Sequence, residues 1–108
     1  MSDAIVQAIQ ELRVVEFGYE GGMRLVHPHA VLENKDTHQQ YVQGFQVDGY
    51  SKSGNLPGWR NFHPEGIEAP VVLRTLFTPQ TDAQEARASL DVARVVLAVE
   101  ESSESQED

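Results

Sequence analysis

Apolar residues at helical spacing open the chain. Four of them fall at positions i, i+3, i+4 and i+7, which places them on one side of a helix. These residues are Ile5, Ala8, Ile9 and Leu12. The spacing predicts a short amphipathic helix over residues 3–12, with an N-cap supplied by residue 2 or 3.

Between residues 13 and 74 the pattern changes to the alternation that is typical of strands. A first strand runs up to a glycine-containing turn at residues 20–22, and a second extended run ends at Pro28. Three further strands are predicted, and they cover residues 40–47, 59–63 and 67–73. Pro70 indicates an edge position or a bulge, because proline lacks the N–H that a central strand donates.

Helical spacing returns after Thr78, a candidate N-cap that precedes Pro79 at the first helical position. A stripe of small and aliphatic residues follows, made of Ala83, Ala86, Leu90, Ala93 and Leu97. Its length favours a helix over residues 79–99, while the valine-rich run within 89–99 leaves a strand as the alternative. Residues 101–108 are acidic without apolar side chains, and we predict a disordered tail there.

These elements predict one α+β, mainly β domain over residues 1–100. Its order is a helix, five strands and a second helix. Five short antiparallel strands are too few for a two-sheet sandwich, but they suffice for a small, strongly bent sheet or a partly open barrel of the SH3 or OB type. The two helices would flank this barrel, which covers residues 13–74.

The charge of the 108-residue chain is −9 and unevenly distributed. Residues 13–74 carry six basic and seven acidic side chains, a net of −1, whereas residues 79–108 carry two basic and eight acidic ones, a net of −6. The chain as a whole lacks the basic stripe of a typical nucleic-acid-binding domain. Its nearly neutral middle leaves room for a local basic patch.

Several classes of protein are disfavoured by what the sequence lacks. The absence of cysteine excludes disulfide frameworks and thiolate metal sites, and it fits a cytoplasmic protein. No run approaches the roughly eighteen apolar residues of a membrane-spanning helix, so no membrane association is expected. Known nucleophile, phosphate-loop and zinc-protease motifs are missing, so we expect a non-enzymatic protein without a cofactor.

Arg24 and Arg60 are the leading candidates for a ligand site. Guanidinium groups bind phosphate or carboxylate through paired donors that lysine does not offer. Adjacent twisted strands can bring the two arginines to one groove. The alternative is that each forms a surface ion pair, which contributes about 0–1 kcal/mol.

Tyr41 and Trp59 are candidate partners of these arginines, because aromatic rings beside cations hold the bases of single strands. On a regular strand, however, Arg60 and Phe62 share one face and Trp59 points to the other. Only part of this aromatic set can therefore line one groove. Trp59 remains open between a lid on the core and an exposed stacking platform.

His27 completes the set of candidate ligand-binding residues. It shares a strand face with His29, and His38 or His63 would be needed to make an imidazole metal site. Pro28 interrupts the strand, and no carboxylate stands at a matching spacing. Histidines without a metal are therefore favoured.

The order of these motifs resembles the WYL domain of bacterial regulators over about residues 4–77. That family has a helix with Ala-Ile, a strand ending in Tyr, a glycine-containing turn, an Arg before a Pro, a Trp-Tyr-Leu triplet, and Arg-x-Phe before an isoleucine. The matching residues are Ala8, Ile9, Tyr19, Arg24, Pro28, Leu32, Tyr41, Arg60, Phe62 and Ile67. Gln40 and Val42 replace the Trp and the Leu of the triplet.

The resemblance implies an Sm-like or SH3-like barrel that binds a small ligand or a nucleic-acid strand, often to control an attached helix-turn-helix. Here the N-terminal helix stands alone. Glu65 occupies the place of a basic residue before the final isoleucine, where its carboxylate would repel an anion.

Two functions follow as hypotheses. The first is a regulatory or sensory module that binds an anionic ligand, a nucleotide or single-stranded nucleic acid, in a groove lined by Arg24, Tyr41 and Arg60. The second is a protein-interaction or homodimerisation module whose barrel or C-terminal helix docks a partner or a second copy, and the apolar stripe within residues 83–99 favours it.

Overall fold

The structure, a computed structural model, describes residues 3–52 and 54–99. Two helices and six strands make up this part of the chain, together with a short 3₁₀ turn. The elements are α1 (Asp3–Glu11), β1 (Arg13–Tyr19), β2 (Gly22–Asn34), β3 (Gln40–Gly49), β4 (Gly58–Phe62), the 3₁₀ turn (Pro64–Gly66), β5 (Glu68–Leu76), α2 (Ala83–Ala88) and β6 (Val92–Ala98). The predicted tail at 101–108 lies outside the described residues.

All six strands belong to one antiparallel sheet. Five of them follow the order β4-β3-β2-β1-β5, and β6 pairs with β2 off this path. The α+β, mainly β prediction is confirmed, but the five-stranded barrel is corrected to an open sheet of six strands. A sixth strand is present, and among the described residues the end strands β4 and β5 do not pair with each other, so the sheet stays open.

The sheet is strongly curved, and its concave face holds the apolar core. In a flat sheet β1 and β4 would lie about 14 Å apart, three strand spacings away. Yet the Phe62 ring on β4 lies 5.0 Å from the rings of both Phe17 and Tyr19 on β1, in edge-to-face contacts. The Tyr19 hydroxyl also accepts the His63 N–H at 3.0 Å. Side chains from distant strands therefore meet on the concave face.

Helix α1 packs onto the core through its apolar side, as the spacing predicts. Ile5, Ala8 and Ile9 are fully buried. The helix ends where Leu12 adopts a left-handed conformation, with φ of 57°. The Leu12 carbonyl then accepts the Phe77 N–H at 2.9 Å, which ties the end of the helix to the chain after β5.

Strand β2 does not end at Pro28, as predicted, but continues to Asn34. One edge of β2 is shared: β1 pairs with residues 22–26 and β6 with residues 30–34. Pro28 lies between these two stretches and beside a register shift against β3. The missing N–H of proline is therefore tolerated within a long strand.

The predicted helix over 79–99 is wrong in most of its length. Helix α2 covers only Ala83–Ala88, and the valine-rich run forms β6, the alternative left open by the sequence. The second half of β2 offers an open edge, and a run of β-branched residues suits pairing with it. The apolar stripe is thus divided between a helix and a strand, so the proposed helical dimerisation face does not exist.

Within residues 3–52 and 54–99, no helix combines the length and the apolar character needed to cross a bilayer. The longer of the two described helices, α1, has nine residues.

Candidate anion-binding cleft

A cleft of about 510 Å³ opens at the concave face, between the β1–β2 turn, the beginning of the β3–β4 loop and strand β4. We call it the basic cleft. Its walls contain three basic side chains and one carboxylate, together with aromatic and polar groups. The lining residues are Tyr19, Glu20, Arg24, Ser51, Lys52, Arg60, Asn61, Phe62 and His63.

Arg24 forms the buried part of this cleft, with only 5% of its surface exposed. Its Nη1 donates to Gln46 Oε1 at 3.2 Å, and its Nη2 donates to the Tyr19 carbonyl at 3.2 Å. The guanidinium carbon lies 5.1 Å from the ring centre of Tyr50 and 5.9 Å from that of Phe62. Hydrogen bonds and ring faces therefore fix the orientation of this charge.

The hydrogen-bonding capacity of Arg24 is not exhausted by these contacts. A guanidinium carries five N–H donors. Within the described part of the chain its buried Nε has no hydrogen-bond partner, and Nη2 makes one further charge contact, 3.8 Å to Glu20. Because Nε is shielded from solvent, Arg24 presents its charge to the cleft at Nη2, where the contact with Glu20 is longer than a hydrogen bond.

Arg60 reaches the same cleft from β4 and holds the loop beside it. Its Nη1 donates to the Trp59 carbonyl at 2.8 Å. Its Nη2 donates to Ser51 Oγ at 3.0 Å and to the Asn55 carbonyl at 2.7 Å. Because Ser51 and Asn55 belong to the β3–β4 loop, these bonds hold the segment that carries Lys52 against the cleft.

Lys52 and Glu20 face each other at the mouth of the basic cleft. The Lys52 Nζ lies 3.7 Å from Glu20 Oε1. The same oxygen lies 3.8 Å from Arg24 Nη2, so one carboxylate bridges two of the three cations. Both mouth residues are well exposed, Lys52 with 69% of its side chain and Glu20 with 52%.

Trp59 lies on the opposite face of β4, as strand alternation predicts. Its Nε1 donates to Asp82 Oδ2 at 3.1 Å, and its ring meets the rings of His29 and Phe45 edge-on. It lines a second cleft of about 740 Å³ between β4 and α2, which also contains Glu85. Trp59 is therefore part of an aromatic cluster, and it does not line the basic cleft.

Tyr41 is not brought to the basic cleft either. It is buried against Ala30 and Leu32 and borders a third cleft with Asp91. Burial raises the pKa of its hydroxyl, and Asp91 raises it further. Tyr41 precedes Val42, which pairs with Phe62 across the β3–β4 ladder, so Tyr41 points away from the arginine face. The predicted groove thus unites Arg24 and Arg60 without Tyr41.

His27 packs in the aromatic cluster on the far side of the sheet. Its ring stacks on Phe77 at 4.8 Å with an interplanar angle of 14°. Burial lowers the pKa of His27. No group of three histidine or acidic side chains among residues 3–52 and 54–99 is arranged to hold a metal ion.

Two charged residues of the basic cleft, Lys52 and Glu20, were not predicted as site residues from the sequence. The expected repelling carboxylate, Glu65, does not line the cleft, whereas Glu20 does. A hint was present, because Lys52 is one of only two lysines and lies in the loop before Arg60. Nothing in the pattern, however, predicts that Arg60 draws this loop to the cleft.

Comparisons with protein-family models, with curated proteins and with solved structures found no match to this chain.

Proposed function

We propose that this protein is a non-enzymatic binding module that holds a small anionic ligand of the nucleotide type in the basic cleft. One observation carries the proposal. Arg24 from β2 and Arg60 from β4, distant in sequence, line one cleft together with Lys52.

The electrostatic character of the cleft supports an anion. Three cationic side chains face one carboxylate, in a protein whose overall charge is −9. Arg24 is held in place before any ligand arrives, by Gln46 and the Tyr19 carbonyl. A charge that is already oriented costs less conformational entropy on binding than a flexible surface side chain.

A small ligand is favoured over a long polyanion. Five of the seventeen acidic residues lie in residues 100–108. Asp82 and Glu85 line the neighbouring cleft, which shares Arg60 and Asn61 with the basic cleft. A nucleic-acid strand that continued along β4 would meet these carboxylates, whereas a single phosphate in the basic cleft would not.

A regulatory role of the WYL type is part of the proposal. In a five-stranded barrel of this strand order the end strands β4 and β5 would close the sheet, and here only the 3₁₀ turn separates them in sequence. The strong curvature of the sheet supports descent from such an SH3-like or Sm-like barrel. The two arginines of the resemblance both lie at the cleft.

Adenosine monophosphate (AMP) is the probe for testing this function by titration calorimetry at low salt. Lys52→Met should weaken AMP binding about three- to fivefold, the effect of one largely solvated charge contact. Lys35→Met is the matched control, because Lys35 is the other lysine of the chain and does not line the cleft. We expect its effect to stay below about twofold.

An equal loss of AMP affinity in the two lysine variants would contradict the proposed function. A wild type that does not bind AMP at millimolar concentration would contradict it as well. An oligothymidine that binds the wild type more tightly than AMP, with a steep salt dependence, would instead show that a nucleic-acid strand is the ligand. The presence of only two lysines also allows a direct readout. After reductive ¹³C-methylation, AMP should shift the NMR signal of Lys52 and leave that of Lys35 unchanged.

A further inference from the structure

Glu20 occupies the place that an anionic ligand would take in the basic cleft. Its Oε1 lies 3.8 Å from Arg24 Nη2 and 3.7 Å from Lys52 Nζ. Both distances fit ion pairs and exceed the length of a good charge-assisted hydrogen bond. The side chain is 52% exposed, so it can turn into solvent without opening the core.

The local backbone gives no reason for a glutamate at this position. Glu20 and Gly21 are the two central residues of the β1–β2 turn, and both have positive φ, 51° and 83°. Such turns favour Asn, Asp or Gly at the first central position, because other side chains are strained there. The carboxylate reaching the two cations supplies a reason that turn formation does not.

We propose that Glu20 is a tethered competitor for the basic cleft and that the natural ligand is a phosphate monoester, which displaces it. This inference rests on the proposed function. In the free protein the carboxylate neutralises part of the charge of Arg24 and Lys52. When the ligand binds, its phosphate replaces the carboxylate at those cations, and Glu20 moves into solvent.

The charge balance of this exchange selects the ligand. A carboxylate or a phosphodiester carries one negative charge, so it replaces Glu20 with a group of equal charge and gains little Coulomb energy. A phosphate monoester carries about 1.5 to 2 negative charges at neutral pH and three terminal oxygens. It offers a larger charge to the same cations, and its three oxygens can contact Arg24 and Lys52 together.

The test compares AMP with its methyl ester, adenosine 5′-(methyl phosphate), which differs by a methyl group and the loss of one ionisable oxygen. Calorimetric titrations are run at pH 7.5 on the wild type, on Glu20→Gln and on Glu65→Gln. The last variant is the matched control, because Glu65 is a carboxylate outside the cleft. We expect the wild type to bind AMP at least about tenfold more tightly than the methyl ester.

Glu20→Gln should raise the affinity for both ligands by the same factor, about five- to tenfold, and Glu65→Gln by less than about twofold. An equal gain in affinity for the two ligands indicates competition, because either ligand must displace the same carboxylate. Simple repulsion by a carboxylate that stays in place would instead favour the dianion more strongly.

Three results would overturn the inference, and they can be told apart. If Glu20→Gln raises the affinity for the two ligands no more than Glu65→Gln does, Glu20 is not a competitor. The proposed function would still stand in that case, because the wild type binds AMP. If the wild type binds the methyl ester as tightly as AMP, the ligand is not selected as a monoester. If the wild type binds neither ligand at millimolar concentration, the proposed function itself fails.

Discussion

The free energy of unfolding is expected to fall by on the order of 3 kcal/mol between pH 6.5 and pH 4 because of one buried histidine, His29. Its side chain is 0% exposed. Nδ1 lies 2.8 Å from the His27 carbonyl, and Nε2 lies 3.0 Å from the Gln80 backbone nitrogen. Since the Gln80 N–H can only donate, Nε2 accepts, and the ring is neutral with its proton on Nδ1.

Burial lowers the pKa of His29 from 6.5 to about 4, and smaller effects of the neighbouring His27, Arg87 and Asp82 act in both directions. The unfolded chain therefore takes up a proton near pH 6.5, while the folded protein does not until about pH 4. The contribution of His29 to the free energy of unfolding is fully present above about pH 6.5, and it is lost as the pH falls from there towards 4. The lowered pKa of His27 adds a contribution of the same sign.

Urea denaturation at pH 7, 6, 5 and 4 measures this effect. His29→Gln removes the titrating group and keeps an oxygen that can accept from Gln80, so its stability should depend less on pH above pH 4. His38→Gln is the control, because His38 is an exposed turn residue that contacts Glu33. A His29→Gln protein that loses as much stability as the wild type over this range would refute the assignment.

The position of His29 also indicates where acid acts first. The bond from Gln80 holds the segment between β5 and α2 against the sheet. On protonation Nε2 can no longer accept, so this segment loses its anchor before the concave core is affected. Trp59 reports on the change, because its Nε1 is bonded to Asp82 in the same segment. Its fluorescence should shift at a higher pH than the far-UV circular dichroism.

Local elements of this fold could be predicted from the sequence, and non-local ones could not. Helix α1 and the β1–β2 turn depend on residues next to one another, and both were located to within a residue or two. Strand β6 depends on the open edge that β2 offers beyond β1. That edge exists only because β2 passes through Pro28, which the proline rule had placed at the end of the strand.

The same distinction holds for the candidate site. Alternation along β4 correctly separated Arg60 from Trp59. Arg24 and Arg60 were expected to converge from adjacent strands, whereas β3 lies between β2 and β4 and the curvature of the sheet brings the two arginines to one cleft. Tyr41 was misplaced because its face depends on the register of β3 against β4, which the sequence does not define. Lys52 enters the cleft on a loop that Arg60, distant in sequence, holds in place. The turn at Glu20 could be predicted, but the contacts of its carboxylate with Arg24 and Lys52 could not.

The register between β2 and β3 leads to the second large effect, which concerns Gly49. Gly49 and Gly21 both have positive φ, 97° and 83°, so alanine is strained at either position. A Cβ at Gly21 would meet nothing within 4 Å, whereas at Gly49 it would collide with the Met23 carbonyl and approach the Arg24 Cα to 3.0 Å. Comparing alanine at Gly21 with alanine at Gly49 therefore distinguishes the cost of backbone strain from the cost of steric overlap.

Gly21→Ala should cost about 1 kcal/mol of stability, the cost of the left-handed conformation alone. Gly49→Ala should cost about 3 kcal/mol or more, because the end of β3 must also move away from β2. That movement disturbs the hydrogen bond from the Tyr50 N–H to the Met23 carbonyl, which is 2.8 Å long. It also displaces Tyr50 and Gln46 from Arg24, so AMP binding should weaken together with stability.

Urea denaturation and AMP titration on the two alanine variants check this coupling. Gly21→Ala, although it lies next to Glu20, should keep its AMP affinity to within about twofold, because its added methyl group touches no part of the cleft. Equal destabilisation by the two substitutions would show that β3 can shift without cost. A Gly49→Ala protein that binds AMP like the wild type would show that Arg24 does not depend on Tyr50 and Gln46 for its position.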